Sequence, residues 1–123
     1  MLLPQPGKRS SLHVHAIGLY RAEIMFRSGA YLVQPQLPSK IVYEASGVVE
    51  AVGSDVDKKM IDKAYSTVPC FALGKYGVYG EVAIVPAYAL AEYPEKFSYA
   101  EGTSIWMQYL TAYGALIHYR KLA

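Results

Sequence analysis

The sequence predicts a mainly β domain with short helices and a C-terminal helix, and three observations carry that expectation. Runs rich in β-branched and aromatic residues recur at 45–52, 65–71 and 79–85, a composition that suits a pleated, half-buried surface. Glycines punctuate them at Gly47, Gly53, Gly74, Gly77 and Gly80, as small barrels require where the chain turns a corner or two backbones approach closely. Finally, Ser98 stands three residues before Glu101, the spacing of a capping box that opens a helix.

Taken in order, residues 1–12 read as a frayed entry. His13–Ile17 alternates weakly and breaks at Gly18, which marks a strand end. Between Tyr20 and Arg27, Ala22, Met25 and Phe26 fall at helical spacing, and Ser28-Gly29 ends that turn. Residues 34–39, QPQLPS, form a proline-restricted extended loop. The strongest strand is 45–52, ASGVVEAV, with Gly47 as a bulge and Gly53-Ser54 as its turn. Residues 57–63 read as a polar surface turn, and Pro86 closes the strand at 79–85. From Ser98 to Leu122 the pattern is helical, weakened at Gly102 and Gly114. The expected organisation is an entry at 1–12, a β domain at 13–97 and a helix at 98–123.

Composition narrows the function classes. At 123 residues the chain is one domain. Its 53% hydrophobic and 18% charged residues argue against disorder. Apolar runs are only a few residues long, so no membrane span is expected. The start, MLLPQPGKRSS, meets Pro4 and Pro6 before an apolar core can form, unlike a signal peptide. A net charge of +2 with scattered Lys and Arg gives no nucleic-acid footprint. The single cysteine, Cys70, excludes an internal disulfide and any multi-cysteine zinc site, consistent with a reducing cytoplasm. His13 and His15 form an H-x-H pair that a strand would point to one face. With no third ligand nearby in sequence, they read as strand histidines.

Four segments carry a resemblance: 15–31 (HAIGLYRAEIMFRSGAY), 37–56 (LPSKIVYEASGVVEAVGSDV), 76–90 (YGVYGEVAIVPAYAL) and 106–117 (WMQYLTAYGALI). In order and spacing they resemble the substrate-side domain of medium-chain dehydrogenases/reductases, in the zinc-independent, quinone oxidoreductase-like branch. The resemblance implies a GroES-like fold, an irregular and here incomplete β barrel, whose C-terminal helix leads towards a nucleotide-binding domain. The family's zinc ligands would fall at Tyr20 and Tyr43, where a phenol with a pKa of about 10 is a poor ligand, so no metal is expected. The family carries asparagine where Tyr20 stands and glycine where Val42 stands.

Zinc-free members deliver hydride from NADPH to a quinone or an activated double bond. That chemistry asks the protein for orientation and a hydrogen-bond donor at the developing oxyanion. The resemblance puts Tyr43 and Tyr20 at cleft positions as candidate donors, or alternatively as tyrosines that pack the barrel rim. Thr111 matches a position at the nicotinamide end, or is a helix threonine bonded to its own backbone. No G-x-G-x-x-G or related fingerprint follows a strand, so no cofactor is expected on this chain alone, although the full-length family uses NADPH. The chain is thus expected to be a truncated domain, inactive by itself. The alternative is an oligomerising or partner-binding module, natural or engineered. Self-association through Trp106, Met107, Tyr109, Leu110, Tyr113 and Leu116 of the C-terminal helix would then be its main contact.

Overall fold

The computed structural model describes residues 6–121. Strand β1 (Arg9–Gly18) pairs antiparallel with β2 (Glu44–Val52), and these two form the middle of a five-stranded sheet. Strands β3 (Ala64–Thr67), β4 (Val82–Pro86) and β5 (Leu90–Ala91) complete it in the order β4-β1-β2-β3-β5. Every pairing is antiparallel. The expected mainly β domain is therefore present, as a curled half-barrel.

Alternation decides which face is covered. Leu12 of β1, Val49 of β2, and Ala83 and Val85 of β4 point inward, where Tyr65, Phe71, Tyr76 and Val78 meet them. Each large side chain so buried contributes about 1.5–3 kcal/mol. On β4 the intervening Val82 and Ile84 face outward.

Two irregularities bend the central pair. Glu50 is the extra residue on β2, between Val49 opposite Leu12 and Ala51 opposite Ser11. His15 is the extra residue on β1, between Val14 opposite Gly47 and Ala16 opposite Ser46. The bulge expected at Gly47 thus lies on the facing strand. What Gly47 supplies is room, because a Cβ there would stand 1.9 Å from the His13 carbonyl oxygen.

Several expected boundaries move. β1 starts at Arg9, so residues 9–12 belong to the sheet and not to a frayed entry; residues 1–5 of that entry lie outside the described residues. The strand expected at 65–71 stops at Thr67, since Val68 N–H turns to the Ala89 carbonyl (2.7 Å). The strand expected at 79–85 begins only at Val82. Val78 and Tyr79 instead donate to the carbonyls of Val42 (2.9 Å) and Ile41 (3.1 Å). The expected polar turn at 57–63 holds one helical turn, Lys58–Met60, capped by Asp57, which accepts from Lys59 N–H at 2.9 Å. Within the proline-rich loop the Leu37–Pro38 bond is cis.

The helices are short. α1 (Arg21–Arg27) follows Tyr20 and stops where Gly29 takes a φ of +77°. α2 (Leu73–Tyr76) fills the glycine-rich connection. The capping box opens α3 (Tyr99–Gly102): Ser98 N–H donates to Glu101 Oε2 (2.9 Å) and Glu101 N–H to Ser98 Oγ (3.1 Å). The continuous helix expected from 98 onward does not form. It breaks at 103–105, resumes as α4 (Trp106–Tyr113), and ends in a wide helical turn, Gly114–Tyr119. Among the described residues no helix is long and apolar enough to cross a membrane.

Candidate active-site cleft

The cause of that break is Glu44, the first residue of β2, whose side chain is fully buried. Its carboxylate accepts four hydrogen bonds. Oε1 takes the backbone N–H groups of Ile105 (2.9 Å) and Trp106 (2.7 Å), and Oε2 takes Met107 N–H (3.1 Å) and the Tyr20 hydroxyl (2.8 Å). Three of these donors are the otherwise unpaired N–H groups at the start of α4, where a helix favours negative charge. A buried acid is tolerable when it is satisfied in this way. Trp106 adds a second mooring, its indole N–H donating to Ser66 Oγ at 2.7 Å.

The strand entry around Glu44 is held from both sides. Thr67 Oγ1 accepts from Ala45 N–H (2.9 Å) and donates to the Tyr43 carbonyl (2.9 Å). Glu23, also buried, accepts Tyr20 N–H at 2.7 Å and Tyr43 N–H at 3.4 Å. One residue earlier, Val42 is buried with a φ of +79°. That region suits glycine and strains a β-branched residue, which gives a physical reason for the glycine that the family pattern carries there.

These contacts separate the two candidate tyrosines. Tyr20 has already committed its proton to Glu44. Burial, the Glu44 hydrogen bond and the charges of Glu44 and Glu23 all push its pKa well above the ordinary phenol value. Tyr43 instead opens onto a cleft of about 320 Å³ with Tyr31, Pro69, Met107, Leu110 and Thr111. Burial first, and then neighbouring Tyr31, raise its pKa, so its phenol keeps its proton at neutral pH. A larger recess of about 700 Å³ lies on another side of Tyr43, against Phe26, Val33, Phe71 and Leu73. Thr111 donates its hydroxyl proton to the Met107 carbonyl (2.6 Å), which leaves its oxygen as an acceptor on the cleft. Tyr43 and Thr111 are thus brought together, and Tyr20 stands apart from them.

Sequence reasoning missed Glu23, Tyr31, Thr67 and the capping role of Glu44. Only Glu23 had a local signal, since it stands three residues after Tyr20, the N-cap of α1. The H-x-H pair does share one face, with ring centroids 5.0 Å apart. His15 stacks on Tyr99 at 4.3 Å, and His13 Nδ1 lies 3.8 Å from Glu50 Oε2. Among the described residues no group of three His, Cys, Asp or Glu side chains is arranged to hold a metal ion.

A family model described as the alcohol dehydrogenase GroES-like domain matches residues 7–95. A quinone oxidoreductase of Pongo abelii is 34% identical over 118 residues, which make up 94% of this chain and 34% of that protein. A synaptic vesicle membrane protein VAT-1 homolog of Rattus norvegicus is 34% identical over 97% of this chain and 28% of its own length. Among solved structures, Escherichia coli quinone oxidoreductase complexed with NADPH superposes with a TM-score of 0.78 at 28% identity, covering 94% of this chain and 35% of that one. A human VAT-1 homolog-like protein gives 0.80 at 28% identity, covering 98% and 38%. The chain therefore spans about a third of the length of the curated relatives it matches.

Proposed function

The chain belongs to the alcohol dehydrogenase GroES-like domain family, and we propose that it forms the substrate side of an NADPH-dependent, quinone oxidoreductase-like site. The observation that carries this reading is the shared cleft of Tyr43 and Thr111, which joins a protonated phenol to a hydroxyl acceptor. In this reading Tyr43 donates a hydrogen bond to the substrate oxygen as negative charge develops on it. Pro69 and Leu110 supply apolar wall that excludes water. The Thr111 oxygen would be available to accept from the carboxamide at the reacting end of the cofactor. Glu44 and Tyr20 are positioning residues, because they hold the start of α4 and with it Thr111.

NADPH, when bound, supplies the hydride. Among the described residues no strand leads through a glycine-rich turn into a helix, and that is the cradle a pyrophosphate needs. The cofactor's reacting end would lie beside Thr111 in the cleft, and its phosphates would need that cradle from a nucleotide-binding half. Turnover therefore belongs to this domain together with a nucleotide-binding half, and by itself the chain is inactive.

The test is to follow NADPH oxidation by a simple quinone with the chain alone and with an added nucleotide-binding domain. Oxidation only in the mixture is expected, and Tyr43→Phe should lower kcat by about 10²-fold. Saturable oxidation by the chain alone would refute the division of labour. An unchanged kcat in Tyr43→Phe would remove Tyr43 as donor.

A second reading is favoured by one flank of α4 and the turn after it. There Tyr109, Leu110, Tyr113, Leu116 and Ile117 are all exposed and line one apolar recess. That flank suits self-association between copies of the chain. Sedimentation at rising concentration should then show a dimer that is indifferent to NADPH.

A further inference from the structure

A separate cavity of about 590 Å³ lies where β5 ends beside β3, and it shares no residue with the Tyr43 cleft. β3 meets β5 only through Ser66 opposite Ala91 and Thr67 opposite Leu90. Beyond Ala91 the chain swings away, leaving Lys63 and Ala64 on one wall and Glu92, Tyr93, Glu95 and Phe97 to Tyr99 on the other. The volume is within the range of small-molecule sites, about 300–1,000 Å³.

Its walls are aromatic and partly fixed in advance. Tyr93, Phe97 and Tyr99 line it. Tyr93 lies flush against Gly102, where an added Cβ would come within 2.7 Å of the ring. Tyr99 stacks on His15 with an interplanar angle of 10°, and its carbonyl accepts from the buried Ser46 hydroxyl. Such walls cost little further ordering when a ligand arrives.

The charge in the cavity has one prevailing sign. Glu92 and Glu95 both line it, and among the described residues neither carboxylate is paired with a cation. Glu92 accepts a long bond, 3.4 Å, from the Tyr65 hydroxyl. Aromatic faces carry negative potential as well, so rings and carboxylates attract the same kind of ligand. Among the described lining residues Lys63, which is exposed, is the one opposing charge, and Lys96 stands next to the lining in sequence without contributing to it.

We propose that this cavity binds a small alkylated ammonium cation, with its methyl groups against Tyr93, Phe97 and Tyr99 and its charge facing Glu92 and Glu95. Alkylation matters because a primary ammonium needs acceptors to replace its water, whereas a quaternary one needs only aromatic faces and nearby negative charge.

The test titrates choline chloride into the full chain while aromatic resonances are followed by NMR. Its neutral isostere, 3,3-dimethylbutan-1-ol, is run at matched ionic strength. Choline should give saturable shifts at Tyr93, Phe97 and Tyr99 in the millimolar range, and the isostere should bind at least about tenfold more weakly. The double change Glu92→Gln with Glu95→Gln should weaken choline about tenfold. Tyr99→Leu should weaken it too, while the sheet resonances remain in place. Equal binding of the isostere would reduce the cavity to a plain apolar groove and overturn the proposal. So would shifts produced by acetate instead of choline, choline binding that survives the double change, or no saturable shift at all. Phosphatidylcholine vesicles present the same cation on a lipid, and a response to them without one to free choline would equally count against it.

Discussion

The sheet and the C-terminal helical arm are held together in opposite ways. In β1 and β4 alternate side chains disappear into one core, β2 is covered on both faces over residues 44–47, and Leu12, Val49 and Val85 are completely covered. Along α4 and the turn after it, no side chain among the described residues is buried. The arm stays in place through polar contacts at its first turn, namely the Glu44 carboxylate and the bond from the Trp106 indole to Ser66. An apolar core is redundant, because many contacts share the load. A helix moored at its first turn by one acid and one indole N–H is not, so the same size of perturbation should act globally in one region and locally in the other.

The most severe way to probe the sheet is Gly47→Ala. The new Cβ would meet the His13 carbonyl oxygen at 1.9 Å, which forces β1 and β2 apart, and a loss of about 4 kcal/mol is expected from denaturant titration. Glu44→Gln comes next, at about 3 kcal/mol. It puts an amide donor where four donors already converge, and a buried group without its partner is expensive.

A finer probe lies beside Glu44. At a φ of +79° Val42 is in a conformation suited to glycine. Val42→Gly should therefore be less destabilising than Val42→Ala, by about 1 kcal/mol, although it removes more side chain. The reverse order would mean that the strain is not borne at this residue. The mildest change belongs to the arm. Leu116→Gln, on its exposed flank, should move the unfolding free energy by less than about 0.5 kcal/mol. The same change should weaken any dimer seen in sedimentation.

How much of this was readable from the chain follows from how local each feature is. α1, β2 and the Ser98–Glu101 capping box depend on neighbours a few residues apart, and all three stand as expected. The start of β1 was hidden because Ser10 and Ser11 look like loop residues, yet Ser10 pairs with Val52 and Val85 and is buried, its hydroxyl without a hydrogen-bond partner among the described residues. β5 is two residues long and exists only by pairing with β3. The break before α4 is set by an acid 61 residues away in sequence, a distance over which periodicity carries no information. Tyr43 and Thr111 were reached through the family resemblance. Their shared cleft and the separate role of Tyr20 required coordinates.

Amide hydrogen exchange on the wild type and on Glu44→Gln tests the mooring most directly. The N–H groups of Ile105, Trp106 and Met107 should be protected in the wild type. In the variant they should exchange at least about tenfold faster, while β1 and β2 amides slow or quicken only with global stability. If those three amides keep their protection without the carboxylate, Glu44 does not anchor the arm, and the placement of Thr111 opposite Tyr43 must have another cause.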